Sequence, residues 1–196
     1  MIIVLTSEFD FENEANWINQ LLENGLDLIH IRKFGMDEEL LEQFILSIDP
    51  NFRDQLVLHS HHHLAKSYGI KRLHFNTKNR LEKKHLNFSD DYKLSTSTHS
   101  IEEFNSLGSQ WDYAFCSPVF LSISKQRYGL EKKVLNEFQF RKNHDVKLIG
   151  LGGINQNNAS KIFQKGADGI ALLGSIWQSE NPLKSFLSCR EIVHSY

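Results

Sequence analysis

The chain has 196 residues, 40% of them hydrophobic, and a formal net charge of −2. That is enough chain for a full core in one domain, taken as 1–196. Lys+Arg 22 against Asp+Glu 24, with no basic run, argues against a nucleic-acid or membrane partner. The apolar start Met1-Ile-Ile-Val-Leu5 stops at Thr6-Ser7-Glu8, too short for a signal peptide or a membrane span.

In chain order, strand and helix signals alternate from end to end. Ile2–Thr6 is a continuous apolar strand suited to burial on both faces. Glu12–Glu23 carries Trp17, Ile18, Leu21 and Leu22 at helical spacing and stops at Asn24-Gly25. Leu26–Arg32 is the second strand. Asp37–Ile48 is a helix with Asp37 near its cap and Leu40, Leu41, Phe44 and Ile45 on one face. Gln55–His59 is the third strand and His62–Tyr68 a short helix. Lys71–Phe75 is the fourth strand, followed by a short or irregular helix over Asn79–Leu86. Asp91–Ser97 is the fifth strand, and Ser100-Ile-Glu-Glu103 is a capping box that starts the next helix. Trp111–Cys116 is the sixth strand, and Ser117–Leu130 is the one long connection. Leu135–Asn143, Val146–Leu151, Gln156–Lys165, Asp168–Leu173 and Pro182–His194 complete the order as helix, strand, helix, strand, helix. The cysteines, Cys116 and Cys189, fall on elements far apart, so reduced thiols in a reducing, cytoplasmic setting are expected, with Cys116 buried and inert.

Eight strand-then-helix units with no second set of strands predict parallel pairing and right-handed crossovers, hence an α/β fold of the (β/α)8 TIM-barrel class. A doubly wound open sheet is disfavoured, because Thr6-Ser7-Glu8-Phe9 stands after the first strand in place of a G-x-G-x-x-G turn.

In such a barrel the chemistry gathers at the C-terminal ends of the strands. Those ends carry His30 and Arg32 on strand two, His59 on strand three, His74 on strand four, Ser97 and His99 on strand five, and Ser117 on strand six. His30 and Arg32 are two apart and so face the same way. A guanidinium beside imidazoles at a barrel mouth suits an anionic substrate, since its fork binds phosphate in a bidentate manner. Late in the chain, Gly152 and Gly153 follow one strand, and Gly174 and Ser175 follow the next. Asn155 reads as the N-cap of the helix behind the first pair. Glycine lets a backbone approach a ligand closely, and a helix N-terminus attracts an anion, so the two turns predict a phosphate site. Tight turns made for geometry alone are the bland alternative. The long loop holds Ser122, Ser124 and Lys125, the composition of a lid that closes over a phosphate or diphosphate.

His59-Ser-His-His-His63 invites a metal reading. A mononuclear site would draw on His59 with His30 and His74 from neighbouring strands, while residues 61 and 63 would diverge on a helix. Hydrogen-bonded imidazoles and polar helix-start residues are the preferred reading, so no metal ligand is assigned. No Asp or Glu stands near these strand ends to hold Mg²⁺, a hard ion that takes oxygen ligands.

Leu28-Ile-His-Ile-Arg32, Ser97-Thr-His-Ser100, Ser117-Pro-Val-Phe120 with Ser122, Ser124 and Lys125, Gly152-Gly-Ile154, and Asp168-Gly-Ile-Ala-Leu-Leu-Gly-Ser-Ile176 form an ordered set at barrel spacing. Through that set the chain resembles thiamine phosphate synthase and its relative TenI, the thiazole tautomerase, over almost its whole length. Similarity to the synthase implies thiamine biosynthesis. A hydroxymethylpyrimidine diphosphate would be joined to a thiazole phosphate with release of diphosphate, and Mg²⁺ and basic residues would hold the departing group. The resemblance places Arg32, Ser97 and Lys125 at diphosphate contacts. Ser122 and Ser124 fall where the family has threonines that touch substrate, and Gly153 with Gly174-Ser175 falls at the thiazole phosphate. The synthase pattern has Asn-Asp where His59-Ser60 stands here, a second metal-binding Asp that His74-Phe-Asn-Thr-Lys78 lacks, and a second basic residue where Phe34 stands. The Mg²⁺ expected of the synthase therefore has no evident ligands. His30-Ile-Arg32 is closer to TenI, which needs no metal, yet the histidine TenI uses after strand six aligns with Pro118.

Three readings follow: the coupling enzyme, with small phosphorylated substrates as its partners; a metal-independent isomerase with His30 or His99 as proton carrier; and a non-catalytic binder of thiazole or thiamine phosphates. The first leads. Catalytic weight is expected on His30, Arg32, His99 and Lys125, and the oligomeric state is left open. A sugar-phosphate epimerase is disfavoured, because it would want carboxylate acid–base pairs at the strand ends.

Overall fold

The computed structural model describes residues 1–7, 9, 11–88, 91–120 and 134–196. Eight strands form a closed barrel in sequence order, every neighbour parallel. They are β1 (Ile2–Leu5), β2 (Leu28–Ile31), β3 (Leu56–Leu58), β4 (Arg72–Phe75), β5 (Lys93–Thr98), β6 (Trp111–Cys116), β7 (Lys147–Leu151) and β8 (Gly169–Leu172). The barrel closes where Ile2 of β1 pairs with Ile170 of β8.

The apolar strands follow from this closure, because each is buried on both faces. Alternation sorts the side chains. Ile3, Leu5, Leu28, Val57, Tyr113, Phe115, Ile149 and Ala171 fill the inside of the barrel. Ile2, Val4, Ile29, Ile31, Leu56, Leu58, Leu73 and Phe75 point outward into the layer shared with the helices. His30 and His74 interrupt this pattern as buried polar groups among apolar neighbours, and β5 departs from it altogether, with Ser95, Thr96 and Thr98 buried.

The helices are α1 (Glu14–Glu23), α2 (Glu38–Leu46), α3 (Leu64–Ser67), α4 (Thr77–Leu81), α5 (Ile101–Asn105), α6 (Ala159–Gln164), α7 (Gly174–Trp177) and α8 (Pro182–His194). Asp37 caps α2 by accepting from Leu40 N at 2.9 Å, as its position predicts. Leu41 and Ile45 are buried beneath that helix, but Leu40, expected on the same face, is 51% exposed. Ser100 caps α5 by accepting from Glu103 N, while the Glu103 carboxylate reaches back to His99 N at 2.6 Å.

Two helix expectations change, the short or irregular segment after β4 takes a definite form, and one element is added. The helix expected over Asn79–Leu86 divides into α4 and a 3-10 turn at Lys84–Asn87, and Leu135–Asn143 is a 3-10 helix over Val134–Phe140. A 3-10 helix at Pro50–Gln55 precedes β3 without a clear sequence signal. The helix after β7 starts at Ala159, three residues later than expected, so Asn155 is not its cap. The Asn-rich stretch explains the delay. Asn155 Oδ1 accepts from Asn157 N, and the Asn158 side chain binds Asn155 N and Gly153 O, which holds the backbone in local turns. The helix dipole expected behind Gly152-Gly153 is correspondingly displaced. Cys116 and Cys189 are both buried on separate elements. No helix among the described residues is long and apolar enough to cross a membrane.

Candidate functional site

The C-terminal mouth of the barrel is a cavity of about 270 Å³. Of the residues expected there, Arg32, His59, His74, Ser97 and His99 border it, with Leu5, Phe115 and Leu151 as its apolar floor and wall. Strand-end hydrogen bonds set these positions. Arg32 N donates to Thr6 Oγ1 at 2.8 Å, which ties the end of β2 to that of β1, and His59 N donates to the Ile31 carbonyl at 3.2 Å. The Arg32 guanidinium lies over the Phe34 ring, 5.2 Å from its centroid. His99 Nδ1–H donates to the Ser117 carbonyl at 3.1 Å, so buried Ser117 acts through its backbone.

His30 lies beneath this surface and does not border the cavity; it is fully buried, and both ring nitrogens are engaged. Its Nδ1 meets His59 Nε2 at 2.8 Å and its Nε2 meets the Tyr113 hydroxyl at 2.6 Å. His74 stacks on His59 with ring centroids 4.2 Å apart, and its nitrogens meet Ser95 Oγ at 2.9 Å and Ser97 Oγ at 3.0 Å. Phe115 closes the group, 4.8 Å from the His30 ring and 5.1 Å from that of His74. The three rings and their oxygen partners thus form one hydrogen-bonded layer across the barrel.

Burial governs their charge. Desolvation, reinforced by the neighbouring imidazoles, holds His30 and His59 well below the ordinary histidine range. The same cause brings His74 down to about 3, and burial raises the Tyr113 phenol above its usual value. At neutral pH the layer therefore consists of neutral donors and acceptors.

Sequence reasoning missed several neighbours. Asn76, Thr77 and Lys78, all just past β4, also border the mouth. Lys78 adds a second cation there, and its place three residues beyond the β4 end is a signal that strand-end bookkeeping could have used. Tyr113 was missed because, inside an apolar strand, it reads as core, and Ser95 because it precedes the strand end on which attention falls.

The late glycine turns lie beside this cavity instead of within it. Gly174 and Ser175 border a second, polar cleft of about 620 Å³ together with Asn155, Asn181 and Lys184. Ser175 Oγ is buried there with no hydrogen-bond partner among the described residues. Gly152 has φ +107°, and a Cβ on it would stand 3.2 Å from Pro118 Cα and Cβ, so the close approach of the β6 connection already requires glycine there. Gly153 is likewise left-handed at φ 66°. Leu151, two residues before Gly153, borders the mouth, and Asn155, two residues after it, borders the cleft, so the chain through Gly152-Gly153 connects the two cavities. Ser122, Ser124 and Lys125 lie outside the described residues.

Mg²⁺ does not fit this mouth. No carboxylate borders it among the described residues, and the available donors are imidazoles, hydroxyls and an amide. The histidine-rich segment divides after His59. His62 Nε2–H donates to the His74 carbonyl at 3.2 Å, and His63 pairs with Glu38 at 2.9 Å. The His61 and His63 rings come within 6.1 Å of each other, because both precede α3 instead of riding on it.

Comparison with known proteins gives a consistent picture. The family described as thiamine monophosphate synthase (TMP-TENI) matches residues 1–176. A thiamine-phosphate synthase of Staphylococcus saprophyticus is 23% identical over 176 residues, covering 84% of this chain and 81% of that protein. One from Streptococcus suis is 27% identical over 154 residues, covering 77% and 67%. Among solved structures, the thiamine phosphate pyrophosphorylase of Bacteroides thetaiotaomicron superposes with a TM-score of 0.79 at 25% identity, over 98% of this chain and 97% of that one. The fold is also that of the Pyrococcus furiosus pyrophosphorylase, with a TM-score of 0.80 at 17% identity over 99% and 95% of the two chains.

Proposed function

The chain belongs to the thiamine monophosphate synthase family, and from that premise we propose that it couples a hydroxymethylpyrimidine diphosphate to a thiazole phosphate. In this reaction the bond from the pyrimidine methylene carbon to the diphosphate oxygen breaks with its electron pair leaving on diphosphate. The thiazole nitrogen then supplies the pair that forms the new carbon–nitrogen bond. The observation that carries the reading is the gathering of Arg32, Lys78, Ser97 and three imidazoles over one closed barrel mouth. Arg32 and Ser97, with Lys125, would hold the departing diphosphate through charge-assisted hydrogen bonds. Gly153 and the Gly174-Ser175 turn would hold the thiazole phosphate, a role supported by the Ser175 hydroxyl, buried at the polar cleft without a partner among the described residues.

Coupling is tested by incubating the protein with both substrates and separate additions of Mg²⁺, Mn²⁺ and Zn²⁺, reading thiamine phosphate and diphosphate together. Product under any of these conditions supports the reading; none under all of them removes it.

A second reading, metal-independent isomerisation of a thiazole carboxylate phosphate, is favoured by the neutral imidazole layer and by a mouth that no carboxylate borders among the described residues. A neutral imidazole can take a proton and return it elsewhere on the same molecule. Here His99, which borders the mouth, is the carrier, because His30 lies beneath it with both ring nitrogens engaged. Replacing His99 by Gln should stop turnover while phosphate still binds, and an unchanged rate removes this reading.

A further inference from the structure

We propose that His30, His59 and His74 form a three-histidine site for a borderline divalent metal ion of the zinc class, seated just beneath the barrel mouth. The inference is independent of which reaction the protein performs. One ligand nitrogen from each ring lies within 4.8 Å of the others. Two of the side chains lie on β2 and β4 of a closed barrel, and His59 is the first residue past β3, its N–H held by the Ile31 carbonyl, so the backbone fixes their separation before any ion arrives.

The closest pair, His30 Nδ1 and His59 Nε2, is already aimed nitrogen to nitrogen at 2.8 Å. In the metal-free protein one proton lies between them. An ion with zinc–imidazole bond lengths takes that place when the two nitrogens part by about half an ångström. The outer partners that such ligands require are present. Tyr113 hydroxyl holds the far nitrogen of His30 at 2.6 Å, and whichever nitrogen His74 turns to the ion, Ser95 or Ser97 keeps the other. Imidazoles without carboxylates suit Zn²⁺, Co²⁺ or Ni²⁺ and disfavour Mg²⁺.

Three protein ligands leave a coordination position open, the pattern of reactive sites as opposed to structural ones. His59 and His74 border the mouth cavity with Arg32, so the open position faces the place where an anionic substrate oxygen would arrive. The fourth ligand is then a phosphate or diphosphate oxygen, balanced by the guanidinium.

The test is a titration of chelator-stripped protein with Co²⁺, followed by visible absorption. Binding of a single ion per chain, with the intense bands of a four- or five-coordinate site, displaced by Zn²⁺ and retained in excess Mg²⁺, is the expected result. His59→Gln and His74→Gln should each weaken binding by more than about tenfold. The double change His61→Gln with His63→Gln should leave it unaltered, which separates the buried trio from the exposed histidines beside it. If the ligand variants fail to fold, nitrogen-15 imidazole spectra of the unaltered protein decide: Zn²⁺ should shift three histidine rings, including the one coupled to Tyr113. No saturable Co²⁺ bands, a weak octahedral spectrum, binding lost only with His61 and His63, or Zn²⁺ shifts confined to surface histidines would each overturn the proposal.

Discussion

The phenol of Tyr113 closes on Nε2 of His30 at 2.6 Å inside the barrel, and so decides that the other nitrogen of that ring faces His59. A residue on β6 thereby sets the orientation of a histidine on β2. Replacing Tyr113 by Phe keeps the ring in the core but leaves a buried imidazole nitrogen without its partner. The expected loss is about 1–3 kcal/mol of folding stability. It is read by urea denaturation at neutral pH, and a variant as stable as the parent protein would show that the bond contributes nothing.

Acid should destabilise the metal-free protein earlier than carboxylate titration alone would. His74 is brought down to about 3 and His62 to about 4, whereas both titrate near 6.5 in the unfolded chain. The unfolded state therefore binds protons first, and the stability present above about pH 6.5 is lost as pH falls toward 4 and then 3. Each proton taken up contributes a slope of about 1.4 kcal/mol per pH unit in that window. Denaturation midpoints measured from pH 7 to 4 with a chelator present check this, and a flat profile between 6.5 and 5 contradicts it.

Glu14 and Lys33 form a buried pair at 2.5 Å, with side chains only 4% exposed, joining α1 to the segment after β2. The second carboxylate oxygen accepts from Ser7 N at 2.7 Å, so the pair also pins the connection after β1. Lys33→Met strands the carboxylate and should cost about 3–5 kcal/mol. Changing both residues to Met should recover most of that loss, and a double-mutant cycle on thermal unfolding measures the coupling. Additive losses would show that the two charges do not depend on each other.

Ser175→Ala separates stability from binding. Its hydroxyl is buried at the polar cleft without a partner among the described residues, so its removal should leave the ligand-free protein as stable as before or slightly more so. Affinity for a thiazole phosphate should nevertheless fall by roughly tenfold, the loss of about one hydrogen bond to an anion. Isothermal titration alongside thermal melts reads both quantities. Unchanged affinity removes Ser175 from the phosphate site. Arg32→Gln should lower affinity for inorganic diphosphate by a similar or larger factor, and its failure to do so would remove the guanidinium from that role.

Particular residues show where local pattern sufficed. Trp111–Cys116 and Pro182–His194 are found with the boundaries their sequence implies, because a compact apolar run and an Asn181-Pro182 helix start are local signals. The Asn155 cap was misread for the converse reason. Four amide side chains in a row offer competing local hydrogen bonds, and the Asn158 amide takes the Gly153 carbonyl, a choice that the sequence pattern does not reveal.

By itself the chain's alternation of apolar runs and amphipathic segments determined an eight-stranded parallel barrel, and its composition placed imidazoles and a guanidinium at the strand ends. Only the closed structure decided that His30 lies below the mouth against Tyr113, that His59 stacks on His74, that Lys78 joins Arg32 at the rim, and that the Gly174-Ser175 turn borders a separate cleft. The physical reason is register. Strand alternation says which face a side chain takes, but which residues meet across the barrel depends on how all eight strands are staggered when the sheet closes, and no single segment carries that information.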